Sequence, residues 1–198
     1  MIQRSVDISR ALHHYPQRRK IIGVIGSSAI ELSQSQQQLP YCVGKWIAEA
    51  NCHLLTGGGP GVMAAASKGF CAVSSRTGLS IGVIPHGKPV EMYPNSWIEL
   101  PVYTHLRGEN PKGEDSRNHI NVRSSHAIVA FPGGIGTLAE VELAVAREVA
   151  CPIVLCLRGQ EIIGGLGAEA LRNFGVPVVS DLDAIIEFLN TALAQVVV

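Results

Sequence analysis

The stretch that decides the fold is Ala127–Glu140, which reads AIVAFPGGIGTLAE. Its first part, Ala127–Phe131, is a short apolar run of the kind that forms a strand buried on both faces. Glycines follow directly, and a helix is predicted over Gly136–Ala150. A buried strand that passes through a glycine-rich turn into a helix is the repeating unit of a parallel sheet covered by helices.

The same alternation of strand and helix runs along the rest of the chain. The other predicted strands are Ile21–Ile25, His53–Thr56, Ile81–Ile84, Trp97–Val102, Ile153–Leu157 and Val176–Val179. The other predicted helices are Leu39–Ala50, Gly61–Val73, Arg117–Ser124 and Leu182–Ala194, and Thr104–Ser116 is predicted to be a polar loop. The pattern predicts an α/β fold of Rossmann-like, doubly wound type, with a mostly parallel sheet and helices on both faces. A length of 198 residues suits a single nucleotide-binding domain over residues 1–198, with residues 1–20 as an N-terminal arm.

Composition and charge exclude several classes of function. The formal net charge is +0 and no basic stripe is present, which argues against nucleic acid as a partner. No apolar run is long enough to span a bilayer and no signal peptide is evident, so we expect a cytoplasmic protein without membrane contact. The 5 cysteines form no CxxC pair and the histidines lack ligand spacing, so we expect no metal site. Only 16% of residues are charged, below the roughly 25% usual for soluble domains. This favours a homo-oligomer, such as a homodimer or homotetramer, over the alternative of a large core with little exposed surface.

Three loops that follow strands carry the candidate site. They are Gly26-Ser27-Ser28, then Thr56–Met63 with the sequence TGGGPGVM, and then Pro132–Glu140 with the sequence PGGIGTLAE. Glycines at the start of a helix leave backbone N–H groups free to bind an anion, and the helix dipole favours negative charge there. A plain tight turn explains the first loop equally well. Close packing of helix on sheet is the alternative for the second loop, although its glycines outnumber what packing requires. No Lys-Ser/Thr pair follows the glycines, which disfavours a nucleoside triphosphate site of the P-loop kind.

Pro132-Gly-Gly-x-Gly-Thr-x-x-Glu140 resembles the signature of the Lonely Guy (LOG) family, the cytokinin riboside 5'-monophosphate phosphoribohydrolases once called lysine decarboxylases. The stretch Thr56–Met63 is similar to the second glycine motif of that family, and Gly26-Ser27-Ser28 resembles its first loop. Arg117 lies fifteen positions before Pro132, where the family has its catalytic arginine. The resemblance covers the chain from Ile21 to Leu157.

The resemblance implies hydrolysis of the N-glycosidic bond of a nucleoside 5'-monophosphate, which yields free base and ribose 5-phosphate. Arg117 and Glu140 would be catalytic, with the carboxylate stabilising positive charge that develops on the ribose. A structural salt bridge between these two residues is the alternative. The residues expected to bind the phosphate or nucleotide are Gly26, Ser27, Ser28, Gly57, Gly58, Gly59, Gly61, Met63, Pro132, Gly133, Gly134, Gly136 and Thr137.

Three features depart from the LOG pattern. The chain has Met63-Ala64 where family members usually have Met-Glu, and Arg117-Asn118 where they have Arg-Lys. Its loop Arg107–Asp115 is also longer and more polar than expected for a simple phosphoribohydrolase. The Arg-Asn pair and the stretch Tyr93-Pro94-Asn95 look more like the related molybdenum cofactor carrier proteins, which share the fold and bind a phosphorylated pterin. A non-catalytic carrier of a phosphorylated pterin or nucleotide is therefore the alternative function. Neither function requires a further cofactor.

Overall fold

The computed structural model describes residues 18–87, 89–106, 110, 113, 116–146 and 150–195. The strands are β1 (Ile21–Ile25), β2 (His53–Thr56), β3 (Ser80–Ile84), β4 (Leu100–Tyr103), β5 (Ala127–Ala130), β6 (Ile153–Cys156) and β7 (Val178–Val179). The helices are α1 (Gln34–Glu49), α2 (Val62–Cys71), α3 (Asn118–Ser124), α4 (Ile135–Val145), α5 (Ala168–Arg172) and α6 (Leu182–Gln195).

The seven strands form one parallel sheet in the order β4-β3-β2-β1-β5-β6-β7. This confirms the predicted Rossmann-like α/β fold, with every strand pair parallel. The strand order reverses between β1 and β5, which are adjacent in the sheet but far apart in the chain. In doubly wound sheets, ligands bind outside the carboxyl ends of the strands at this reversal.

Alternate residues of the central strands face two separate cores. Val24 of β1 and Val129 of β5 belong to one core, together with residues of α1, α2 and α6. Ile128 of β5 belongs to the other core, which α3, α4 and α5 cover. Burial on both faces explains why these strands are continuously apolar rather than alternating.

Glycine allows α1 and α2 to pack with their backbones almost in contact. A Cβ atom added at Gly44 of α1 would clash with the carbonyl oxygen of Ala66 in α2. A Cβ atom added at Gly69 of α2 would clash in the same way with the carbonyl oxygen of Tyr41. The α1–α2 pair therefore depends on glycine at both positions.

The first helix begins five residues earlier than predicted, at Gln34 rather than Leu39. The reason is a capping box, in which the Ser33 hydroxyl accepts from the Gln36 N–H and the Gln36 side-chain oxygen accepts from the Ser33 N–H. Pro40 consequently lies inside α1 rather than in its first turn.

The fourth strand begins at Leu100 rather than at the predicted Trp97. The backbone N–H groups of Trp97 and Ile98 both donate to Asn95, so these residues form a turn. The last strand is shorter than predicted, and α5 lies just beyond the glycines at 164–167, where no helix was predicted. The helix predicted over Gly136–Ala150 ends at Val145, and residues 147–149 lie outside the described residues. The other boundaries agree to within two residues.

Part of the predicted loop Thr104–Ser116 and most of the predicted N-terminal arm also lie outside the described residues. In the part of the chain that the structure describes, no helix has both the length and the apolar character needed to cross a membrane.

Candidate functional site

A cavity of about 410 Å³ lies beyond the carboxyl ends of β1, β2 and β5, where the strand order reverses. It is called the first cavity below. Ten of the residues predicted for the site line it: Gly26, Ser27, Ser28, Gly57, Met63, Arg117, Gly134, Gly136, Thr137 and Glu140. The other five predicted residues, which are Gly58, Gly59, Gly61, Pro132 and Gly133, are not among the residues that line it. The volume lies within the usual range for a small-molecule site.

Ser27 ties the three predicted loops together. Its backbone N–H donates to the carbonyl oxygen of Pro132 in the third loop, at 2.9 Å. Its own carbonyl oxygen accepts from the N–H of Val62, at the start of α2, also at 2.9 Å. The Ser27 hydroxyl accepts from the N–H of Ala29, which closes the first loop on itself. The three loops therefore form one connected wall, although they are far apart in the sequence.

The start of α4 presents unbonded N–H groups to the first cavity. Gly134 is the N-cap residue and gives no side-chain hydrogen bond, and the first N–H bonded within the helix is that of Leu138, which donates to the Gly134 carbonyl. No described residue accepts a hydrogen bond from the N–H groups of Ile135, Gly136 or Thr137. A helix that begins in this way attracts an anion, because its orphan donors and its dipole act at the same place.

Gly134 and Gly136 leave open space beside these N–H groups. A Cβ atom added at either residue would meet no protein atom within 4 Å. Neither glycine is therefore required for packing within the described protein. Both expose backbone to the cavity, which suits a ligand that approaches the helix start closely.

The glycines of the second loop serve mainly in packing, which was the alternative explanation for them. Gly58 and Gly61 have φ values of 71° and 70°, a region that side chains rarely adopt. A Cβ atom added at Gly59 would clash with the ring of Tyr93. Gly57 alone of the four lines the first cavity, and its backbone packs against the guanidinium of Arg117. A ligand role for Gly58, Gly59 and Gly61 stays a prediction.

Arg117 and Glu140 meet at the wall of the first cavity. The Arg117 Nη1 atom lies 3.7 Å from the Glu140 Oε1 atom, and the two side chains are 15% and 8% exposed. The Nδ2 atom of Asn121 donates to the same carboxylate oxygen at 2.8 Å. Arg117 directly precedes α3 and Asn121 lies one turn into it, so both lie on the face of α3 that meets α4.

Burial raises the pKa of the Glu140 carboxyl above its usual range, because the surrounding protein disfavours the charged form. The Arg117 guanidinium and the Asn121 amide lower this pKa, but their effect is smaller than that of burial. A buried carboxyl with a shifted pKa in a cavity is typical of a functional site, although structural ion pairs also produce such shifts.

The predicted site residues did not include Asn121, Tyr93, Pro85 or Ser116, although Tyr93 was part of the carrier-like stretch Tyr93-Pro94-Asn95. Asn121 could have been found, because it stands four positions after Arg117 on a predicted helix and so shares its face. Tyr93, Pro85 and Ser116 line the first cavity from irregular segments, which carry no periodic signal. Within the described ranges, no three His, Cys, Asp or Glu side chains are grouped so as to hold a metal ion.

Comparisons with known proteins agree with this geometry. The molybdenum cofactor binding protein of the phototrophic bacterium Rippkaea orientalis has a similar structure, with a TM-score of 0.72 and 30% identity over 90% of this chain and 99% of that one. The molybdenum cofactor carrier protein of Chlamydomonas reinhardtii gives a TM-score of 0.69 and 31% identity over 89% of this chain and 100% of that one. An uncharacterised protein of Archaeoglobus fulgidus is 33% identical over 124 residues, which are 63% of this chain and 72% of that protein.

These matches confirm the predicted resemblance to LOG-like proteins and to molybdenum cofactor carriers. The model of the SLOG cluster4 family matches residues 19–174, which span β1 to α5 and all three loops of the first cavity. On that match over most of its length, the chain belongs to the SLOG cluster4 family.

Proposed function

We propose that this protein binds a phosphorylated pterin, the molybdenum cofactor, in the first cavity and carries it without cleaving it. The observation that carries the proposal is the start of α4, where Gly136 and Thr137 line a cavity that two glycines leave open and no described residue accepts a hydrogen bond from their N–H groups. A phosphate placed there would accept from several backbone donors at once. The Thr137 side chain lines the same end of the cavity.

The lining of the first cavity also includes surface that suits a flat ring. Ile25, Met63 and Pro85 supply apolar surface there, and Tyr93 supplies an aromatic side chain that is only 7% exposed. Asn118 lines the same cavity and is 7% exposed. A pterin is a flat heteroaromatic ring with hydrogen-bonding groups on its edge, so a lining that combines a few apolar side chains with many polar groups fits its chemistry.

Similarity supports the same ligand. The molybdenum cofactor binding protein of Rippkaea orientalis and the molybdenum cofactor carrier protein of Chlamydomonas reinhardtii match this chain along nearly the whole of their own length, at 30% and 31% identity. The Arg117-Asn118 pair, which distinguishes this chain from the LOG pattern, lines the first cavity.

The second candidate function is hydrolysis of a nucleoside 5'-monophosphate, and the placement of Arg117 and Glu140 at the cavity wall favours it. A hydrolase of this kind needs an ionised carboxylate beside the ribose. Burial raises the pKa of the Glu140 carboxyl, and its Oε1 atom already accepts from Asn121 and lies 3.7 Å from Arg117 Nη1. These features suit a residue that holds Arg117 in place, so we rank the carrier first.

A binding experiment tests the carrier. The protein is titrated with a phosphorylated pterin and with the same pterin lacking the phosphate, and the intrinsic fluorescence of the pterin is followed. We expect the phosphorylated form to bind at least about 10-fold more tightly, because hydrogen bonds to a charged group contribute roughly 1.5–3 kcal/mol. Equal binding of both forms would contradict a phosphate site at α4.

Gly134→Ala and Gly167→Ala form a matched pair for this experiment. Both glycines are N-cap residues with φ near −85° (−86° and −82°), and a Cβ atom at either meets nothing within 4 Å. Gly134 lines the first cavity and Gly167 lies at the start of α5, away from it. Gly134→Ala should weaken binding of the phosphorylated pterin, whereas Gly167→Ala should not.

Release of free base separates the two candidate functions. The protein is incubated with a panel of nucleoside monophosphates, and the products are separated by chromatography. The carrier proposal predicts no base above the level of a no-protein control. Base release that disappears in both Arg117→Ala and Glu140→Ala would establish the hydrolase instead.

A further inference from the structure

A second cavity of about 390 Å³ lies next to the first, beyond the carboxyl ends of β5 and β6 and beside the start of α1. Ser27 lines both cavities. The hydrogen bond from the Ser27 N–H to the Pro132 carbonyl forms the partition between them, and Pro132 lines the second cavity only. The two cavities thus flank the single loop that follows β1.

The lining of the second cavity is more apolar than polar. Leu39, Val62 and Phe131 supply apolar surface. Gln160 and Glu161, from the segment after β6, line it as well. An apolar slot with polar groups at its edge suits a nucleobase with an attached sugar, because the base buries its faces and the sugar offers hydroxyl groups.

The charges of the second cavity disfavour a phosphate. Its charged lining residues are Glu31, Glu161 and Arg158, so carboxylates outnumber the cation. The Arg158 guanidinium already donates to the carbonyl oxygen of Ser35, at 2.9 Å. Carboxylates accept hydrogen bonds from hydroxyl groups but repel a second anion.

The start of α1 offers little to an anion either. The Ser33 side chain accepts from the Gln36 N–H, and the Gln36 side chain accepts from the Ser33 N–H. This capping box satisfies N–H groups at the start of α1, whereas the start of α4 has no such side-chain cap. The phosphate position therefore belongs to the first cavity, and the second cavity suits an uncharged group that carries hydroxyls.

We infer that the two cavities together bind a dinucleotide-like ligand, in which a nucleoside monophosphate is joined through a phosphoanhydride bond to the phosphate of the pterin. The inference rests on the proposed function and names the form of cofactor that the site selects. The pterin and its phosphate occupy the first cavity, and the added nucleoside occupies the second. Doubly wound sheets consist of two mononucleotide-binding halves that meet where the strand order reverses, and both cavities are lined by the loops after β1 and β5, the two strands that flank that reversal.

The test compares the affinity of the full chain for the molybdenum cofactor in its monophosphate form and in its dinucleotide form, by competition against a fluorescent phosphorylated pterin. We expect the dinucleotide form to bind roughly 10-fold more tightly or better. Leu32→Trp fills the second cavity from a half-buried position, and Glu161→Gln removes a carboxylate while keeping an oxygen for the Arg158 N–H. Both variants should abolish most of the dinucleotide advantage and leave the monophosphate affinity within 2-fold of the unchanged protein.

Gly134→Ala should weaken the binding of both forms, unlike Leu32→Trp and Glu161→Gln, because it obstructs the phosphate position in the first cavity. Equal affinity for the two forms would overturn the inference while the proposed function stood. A dinucleotide advantage that survived both Leu32→Trp and Glu161→Gln would also overturn it. Failure of both forms to bind would contradict the proposed function itself, and the inference would fall with it.

Discussion

The substitution Gly57→Ala tests whether the Gly57 backbone, which packs closely against the Arg117 guanidinium, holds that side chain in position for the ligand. An ideal Cβ atom at residue 57 would lie 2.7 Å from Arg117 Cζ, whereas ordinary contacts begin at 3.4 Å. The guanidinium must therefore move by at least 0.7 Å (3.4 − 2.7). It lies only 3.7 Å from Glu140, and a shift of this size in a binding or catalytic group is enough to cost roughly 10- to 100-fold in function.

The fold should tolerate this change. The clash involves the far end of a flexible side chain, and Gly57 does not have the positive φ that disfavours alanine. We expect the free energy of unfolding to change by less than about 1 kcal/mol, since alanine at a compatible position also restricts the unfolded chain.

The assay pairs thermal unfolding with titration of a phosphorylated pterin, and Gly167→Ala serves as a control because its Cβ atom would meet nothing within 4 Å. Unchanged affinity in a folded Gly57→Ala protein would refute the claim that the position of Arg117 matters to the ligand. A large loss of stability would refute the claim that the guanidinium can move aside.

Three further changes probe the fold and its dependence on pH. Gly44→Ala should cost roughly 1–3 kcal/mol or more by thermal unfolding, because its Cβ atom would clash with the backbone carbonyl of Ala66, and a cost near zero would show that α1 can shift. Glu140→Gln should unfold at a higher temperature than the unchanged protein at pH 8. The native state holds the Glu140 proton more tightly than the unfolded chain does, so the unchanged protein loses stability as the pH rises above about 4.5. A difference that stays constant from pH 5 to pH 8 would contradict this reasoning. The unchanged protein should also lose stability as the pH falls below about 6.5, because burial first and Arg19 second lower the pKa of His53, whose Nδ1 atom accepts from the Leu79 N–H. In His53→Asn this loss should be smaller, and an identical pH profile would exclude His53 as its source.

Much of the fold could be predicted because its signals are local. Strands such as Ile128–Ala130 are apolar at every position, which only burial on both faces explains, and parallel strands need the helices that alternate with them. The prediction failed where one side chain decided a boundary. The Ser33–Gln36 capping box moved the start of α1, and the hydrogen bonds to Asn95 delayed β4 until Leu100.

For the candidate site, the sequence predicted the loops but not the role of each residue in them. The glycine loops identified the wall of the first cavity, because each follows a strand whose carboxyl end faces the same side of the sheet. They did not reveal that Gly58, Gly59 and Gly61 serve in packing, since that depends on Ile84, Tyr93 and the backbone of the first loop. Those contacts join segments that are distant in the sequence.

The sequence by itself determined the Rossmann-like architecture and the three loops that converge on one edge of the sheet, and its resemblance to the LOG family implied Arg117 and Glu140 as a candidate pair. Periodicity and glycine placement are properties of neighbouring residues, so they can be recognised without knowledge of the rest of the structure. Only the tertiary structure decided that Asn121 joins that pair, that the start of α4 keeps its donors free while α1 is capped, and that Ser27 separates two cavities. Burial, charge balance and a shifted pKa depend on which distant segments surround a group, and a linear pattern does not contain that information.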